Sequence, residues 1–301
     1  MPTNVMTRRQ LIVASLLLSA TSLLSAAEPI QVISDLGYRR DPVTDYEETR
    51  CKLDLYLPQG VENFPTIVWF HGGGLQNGDK TTDIAVAVAQ RFAAEGVAVA
   101  SVNYRLSPQV KFPAYIEDAA AAVAYVQREI ENHGGDPHSL FVSGHSAGGY
   151  LTLMVGLDAR YLEPHGLKPT DIAGFMPVAG QTITHSTVRE ERGIPKTRPT
   201  VDSAAPLFHA SKDAPPFLCF AGSNDLPMRA EENALFAAAM KAAGHRQTSY
   251  LLVADRDHGA VASRIPEPND PVAAAMKAFI DDHRRLADKS SQPSRAPSLD
   301  R

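Results

Sequence analysis

Cysteine is nearly absent, with two residues among 301, Cys51 and Cys219. Two thiols cannot build a disulfide framework or a cysteine-rich zinc site. The ten histidines include no H-E-x-x-H, so no metal or other cofactor is implied. There is no internal repeat. Positive charge is not in excess either: 29 Lys and Arg stand against 34 Asp and Glu. The resulting net charge of -5 argues against a nucleic-acid partner. No apolar run reaches the roughly 20 residues that a membrane-spanning helix needs. The longest, within 11–24, follows Arg8 and Arg9 and precedes Ser25-Ala26-Ala27. That is the layout of an export signal. The Arg pair also fits a twin-arginine signal, and no Cys follows to carry a lipid anchor. Residues 1–27 are therefore expected to direct export, to the periplasm or beyond, with no membrane insertion after their removal.

What remains has an ordinary globular composition, 44 % apolar and 21 % charged. Residues 28–286 fit one large α/β domain, and 287–301, without apolar periodicity, read as a disordered tail. Residues 52–57 alternate polar and apolar, the pattern of a half-buried strand near a sheet edge. Residues 66–70 are apolar almost throughout, as in a central strand covered on both faces. A helix over 81–95 stops at Gly96, a strand over 97–102 follows, and a helix over 114–133 ends at Gly134-Gly135. Further strands are expected over 140–142, 174–179, 216–221 and 248–252, with helices over 150–157, 228–243 and 272–286. This alternation predicts a mostly parallel central sheet with helices on both faces. The Pro-rich stretch 181–216 reads equally well as a cap over a pocket or as a surface loop.

Chemistry concentrates in a few places. Gly144-His145-Ser146-Ala147-Gly148 lies between a strand and a helix. A G-x-S-x-G pattern in that position marks a nucleophile elbow, a strained turn that lifts the serine oxygen above a sheet. A turn that tight leaves no room for a Cβ at Gly144 or Gly148. A Gly-rich connection is the bland alternative, and the strand-to-helix position favours the elbow. His71-Gly72-Gly73-Gly74 follows the central strand. Glycine N–H groups there can face an oxygen that becomes negative during acyl transfer, where the bland alternative is a flexible turn.

In such a fold the order is Ser, acid, His. Among the late histidines, His283 lies in the last helix and His245 at the start of a strand, the wrong end of the sheet. His258 follows a strand, at the end where the elbow sits. Asp225 follows the strand over 216–221 and projects from the same edge. Asp255 and Asp257 are too near His258 along the chain to fold back on its ring. The candidates are therefore Ser146 as nucleophile, His258 as base and Asp225 as the orienting acid. The N–H groups of Gly73, Gly74 and Ala147 form the candidate oxyanion hole. His145 reads as packing beside the elbow, and His71 as fixing the glycine loop by hydrogen bonds. Asp118 and Arg105 read as structural partners.

H-G-G-G and G-H-S-A-G together resemble the α/β-hydrolase esterases of the hormone-sensitive-lipase and feruloyl-esterase-like (BD-FAE) groups. L-D-L-Y-L-P at 53–58, V-N-Y-R-L-S-P at 102–108, F-P-A at 112–114 and E-D-A at 117–119 agree. The resemblance covers about 51–286. His145 stands where hormone-sensitive-lipase relatives carry Asp, and 28–70 leaves no room for their helical N-terminal cap. Both departures favour the BD-FAE branch, which also resembles aryl formamidases and carbohydrate esterases. The resemblance implies an α/β-hydrolase fold and Asp225 as the acid. It also implies a cofactor-free serine hydrolase of carboxylic esters. With only 181–216 available to cover the site, and with export, short-chain or aromatic acyl groups are expected, carbohydrate-linked ones included. An amide-directed hydrolase of the same fold (a formamidase or small peptidase) and a non-catalytic binding module are the alternatives. The family's strand order would set Cys51 and Cys219 about five strands apart, on the order of 24 Å. That exceeds the ~7 Å Cα limit of a disulfide, so two free, buried thiols are expected.

Overall fold

β-Branched and aromatic runs alternate with Ala-rich amphipathic stretches, and the chain folds accordingly. The structure, a computed structural model, describes residues 30–39 and 41–290. Its elements are β1 (Gln31–Gly37), α1 (Asp45–Arg50), β2 (Lys52–Leu57), β3 (Phe64–Phe70), α2 (Asp83–Ala94), β4 (Ala98–Val102) and α3 (Ala114–Glu129). They continue with β5 (Gly135–His145), α4 (Ala147–Leu157), β6 (Gly174–Val178), α5 (Ser186–Glu191), β7 (Phe217–Asn224) and α6 (Arg229–Ala242). β8 (Thr248–Asp257), α7 (Ala260–Ser263) and α8 (Pro271–Ser290) complete the series.

The strands form one sheet in the order β1-β2-β4-β3-β5-β6-β7-β8. β2 runs antiparallel to both neighbours, and every other pairing is parallel. Alternate residues of one strand feed two cores. Val68 and Phe70 of β3 belong to one core, shared with residues of α3, α4 and α6, while Ile67 and Trp69 belong to the other, shared with residues of α2, α7 and α8. This is the mostly parallel sheet flanked by helices that the alternation predicted, in the α/β-hydrolase arrangement that the resemblance implied. From the adjacent pair β3 and β5 the chain winds outward in opposite directions. Such a switch in strand order opens a crevice at the carboxyl ends of the strands, where ligands of open α/β sheets bind.

Several expectations need correction. β2 lies near the edge as expected, second in the sheet inside β1, but it is not half-buried, because Leu53 to Leu57 are all buried. Its polar position, Asp54, is covered by Lys80, whose Nζ lies 2.7 and 2.8 Å from the two carboxylate oxygens. A buried ion pair thus imitates the alternation of a solvated face. β8 runs on to Asp257 rather than stopping at 252, which carries the strand up to the candidate base. α8 continues to Ser290, four residues past the expected domain end. The expected export segment 1–27 and the tail from 291 lie outside the described residues. Cys51 and Cys219 are both free and buried, in the same core, one just before β2 and the other in β7, five positions away in the sheet.

Candidate active site

The chain leaves β5 and enters α4 through a single residue, Ser146, at φ +57° and ψ -111°. A non-glycine residue in such a region carries on the order of 1–3 kcal/mol of strain. The surroundings hold it there. The Ser146 N–H donates to the Val178 carbonyl (2.9 Å), and the Ser146 carbonyl accepts from the Tyr150 N–H (3.0 Å). Two glycines make the approach possible. A Cβ on either Gly144 or Gly148 would fall on the Phe70 carbonyl oxygen.

Ser146, His258 and Asp225 come from three separate strand ends and meet in one hydrogen-bonded chain. His258 Nε2 lies 2.8 Å from Ser146 Oγ, and His258 Nδ1 lies 2.6 Å from Asp225 Oδ1. Asp225 also accepts from the N–H groups of Leu226 (2.7 Å) and Gly222 (3.1 Å). Burial pushes its carboxyl up, but the hydrogen bond and charge of His258 and the two backbone donors outweigh this. The Asp225 carboxyl is held below the usual range. Its side chain is 1 % exposed against 20 % for His258, so the acid is closed off while the ring faces the crevice.

The rival groups are engaged elsewhere. Asp257 accepts from the Ala260 N–H at the start of α7 (2.7 Å). His245 bonds Thr248 Oγ1 and the Ala214 carbonyl, and His283 donates to the Phe279 carbonyl.

The glycine loop lies against the elbow, since a Cβ on Gly72 would be 3.5 Å from Ser146 Cβ. Its carbonyls are occupied. Gly72 O lies 2.6 Å from His71 Nδ1, Gly73 O accepts from the Gln76 and Asn77 N–H groups, and Gly74 O accepts from Thr187 Oγ1 (2.5 Å). The N–H groups of Gly73, Gly74 and Ala147, in contrast, meet no protein acceptor among the described residues. His71 thus holds the loop as the sequence implied. Asp118 likewise serves structure, accepting from Arg39 and Arg105.

Two contributors escaped the sequence reading. His145 does more than pack, because its Nε2 donates to the His258 carbonyl (2.7 Å) and ties the elbow to the backbone of the candidate base. Burial and the neighbouring His258 push the His145 imidazole down to about 4, so it is neutral near pH 7. Thr187, in α5, joins the segment 181–216 to the glycine loop. The first part of that segment is no loose surface loop: Thr182, Thr184, His185, Thr187, Val188 and Arg189 are all buried. Neither contact has a local sequence signal, since each joins residues 113 apart. Among the described residues no group of three or more His, Cys, Asp or Glu is arranged to hold a metal ion.

Comparison with known proteins agrees with this fold. Residues 53–170 match the family model BD-FAE. The esterase LipC of Mycobacterium tuberculosis is 27 % identical over 218 residues, covering 65 % of this chain and 53 % of LipC. The carboxylesterase NlhH of the same organism is 33 % identical over 156 residues, covering 52 % of this chain and 45 % of NlhH. The chain therefore spans about half the length of these curated relatives. A solved structure of a truncated carbohydrate esterase from gut microbiota superposes with a TM-score of 0.70 at 19 % identity. It covers 85 % of this chain and 96 % of its own. The resemblance to BD-FAE and hormone-sensitive-lipase-like α/β-hydrolases is thereby borne out.

Proposed function

We propose that this α/β-hydrolase-fold chain is a serine hydrolase of carboxylic esters with short or aromatic acyl groups, carbohydrate-linked esters among them. The observation that carries the reading is the chain Ser146–His258–Asp225, set on a positive-φ turn beside three backbone N–H groups that lack acceptors. Ser146 Oγ attacks the ester carbonyl as His258 Nε2 takes its proton. The ring then gives that proton to the departing alcohol, and a water repeats the cycle on the acyl-enzyme. Asp225 holds the tautomer that keeps Nε2 free to accept, and it stabilises the imidazolium. The N–H groups of Gly73, Gly74 and Ala147 take the oxyanion. Esterase relatives and a carbohydrate-esterase neighbour support the ester class.

The segment 181–216 is the cover available to the site, and α5 is anchored to the glycine loop by Thr187. A fixed, small cover leaves little room to bury a long acyl chain, at about 0.8 kcal/mol per CH₂. The test is a panel of esters from two to sixteen carbons with aromatic acyl esters and matched amides. Short or aromatic esters are expected to lead, and a steady rise in kcat/KM beyond eight carbons would replace this reading with a lipase. Preference for the amides would make the chain an amidase. Ser146→Ala is expected to lower kcat by about 10⁴-fold or more with unchanged thermal stability. Near-normal turnover by that variant would remove Ser146 from the mechanism.

A further inference from the structure

Arg50, the last residue of α1, reaches into the loops behind the glycine turn. Its Nε donates to the Tyr104 carbonyl (3.1 Å) and its Nη1 to Asp79 Oδ2 (3.0 Å). Its Nη2 donates to the Gly78 carbonyl (3.2 Å) and lies 3.3 Å from His71 Nε2. A guanidinium has donors only, so His71 Nε2 must accept and the proton of the neutral ring must sit on Nδ1. The other side of the ring asks for the same tautomer. Nδ1 lies 2.6 Å from Gly72 O, which can only accept. The ring is buried and stacked on Tyr104, with centroids 4.4 Å apart and planes 14° from parallel. Burial, to which the Arg50 charge adds, pushes the His71 imidazole down to about 4. The ring is thus neutral near pH 7, and its tautomer is the variable that matters.

Gly72 C=O and Gly73 N–H belong to one planar trans peptide and point in opposite directions, so holding the first aims the second. We infer that Arg50 is a positioning residue for the oxyanion hole: by occupying His71 Nε2 it selects the Nδ1–H tautomer, which clamps the Gly72 carbonyl and aims the Gly73 N–H at the substrate oxygen. Without Arg50 the other tautomer becomes available. Two acceptors, Nδ1 and Gly72 O, then face each other at hydrogen-bond distance, and the peptide is driven to turn. The inference rests on the oxyanion-hole reading above.

A double-mutant cycle of Arg50→Met and His71→Asn tests it, because asparagine keeps a donor near the Nδ1 position and has no atom at Nε2. Loss of one oxyanion donor costs about 10²–10³ in kcat, so Arg50→Met is expected to cost roughly 10- to 100-fold in kcat with little change in KM. The double variant is expected to fall no lower than the poorer single. If the two losses multiply, Arg50 is only a brace and the inference fails. Nitrogen-15 chemical shifts of His71 in the unmodified protein need no variant to fold. They are expected to show Nδ1 protonated and Nε2 bare, and a protonated Nε2 overturns the inference. Full activity of Ser146→Ala would instead sink the functional reading and leave the tautomer result standing.

Discussion

Asp225 shows how much one side chain is asked to do. It accepts the His258 Nδ1–H and two backbone N–H groups while almost fully buried. An asparagine at this position has one acceptor oxygen and one donor amide for the same three donors. If the oxygen stays on the backbone, the amide meets His258 Nδ1 and forces the ring to carry its proton on Nε2. That nitrogen can then no longer take the Ser146 proton. Asp225→Asn is therefore expected to lower kcat by on the order of 10³- to 10⁴-fold. Steady-state kinetics check this, and a loss under tenfold would make a different group the acid. The Ser…Asp…His order was legible in the sequence because each member follows a strand, so strand ends placed all three at one edge. The role of His145 was not legible. Whether a ring beside the elbow packs or donates depends on where the carbonyl of a residue 113 positions away comes to lie.

At the scale of elements, α5 and the glycine loop form a joint. The single hydroxyl of Thr187 holds the Gly74 carbonyl at 2.5 Å, and the turn from Gly73 to Asn77 holds the Gly73 carbonyl from the other side. Together these bonds set the two peptide planes on either side of Gly74. Thr187→Val keeps the shape and removes the donor, leaving a carbonyl to find water or go unpaired, a loss of about 1 kcal/mol. The expected outcome is a drop of roughly fivefold or more in kcat, since Gly74, whose own N–H is a candidate oxyanion donor, loses the anchor of its following peptide plane and a donor so loosened acts on the transition state. KM is expected to stay nearly constant. A change in KM alone would make α5 a wall of the pocket rather than a support of the loop. Element boundaries fell within a few residues wherever periodicity and glycine stops agreed. They failed at β5 and β8, which run past their expected ends into polar residues; at β2 the bounds held, and a buried ion pair broke only the rule that polar means exposed.

For the molecule as a whole, three buried histidines set the response to acid. Burial pushes His71 and His145 down to about 4 and His185 to about 3, against an ordinary value of 6.5. Below 6.5 the unfolded chain takes protons at these rings while the folded chain does not, so stability falls as pH falls. The loss begins near 6.5 and levels off once the folded rings titrate, near 4 for two of them and near 3 for His185. Each ring adds a slope of up to about 1.4 kcal/mol per pH unit. Asp225, also lowered, acts in the same direction, but only below its ordinary value of 3.8. Urea unfolding between pH 7 and 4.5 is expected to show this decline. His185→Asn keeps an acceptor for the Thr187 N–H that the ring now binds (3.2 Å) and is expected to flatten the slope by about one proton. An unchanged slope would mean that His185 is not neutral in the folded state.

The sequence by itself determined the fold class, the strand ends that carry chemistry and the identity of the three residues that meet there. These follow from local physics: strand periodicity, glycines where backbones touch, and a serine between a strand and a helix. Only the tertiary structure decided what aims those groups. Arg50 reaches His71, Thr187 reaches Gly74 and His145 reaches the backbone of His258 across 21, 113 and 113 positions. A hydrogen bond depends on the direction of both partners to within a few tens of degrees. That direction is set by how separate segments pack, which no spacing along the chain encodes.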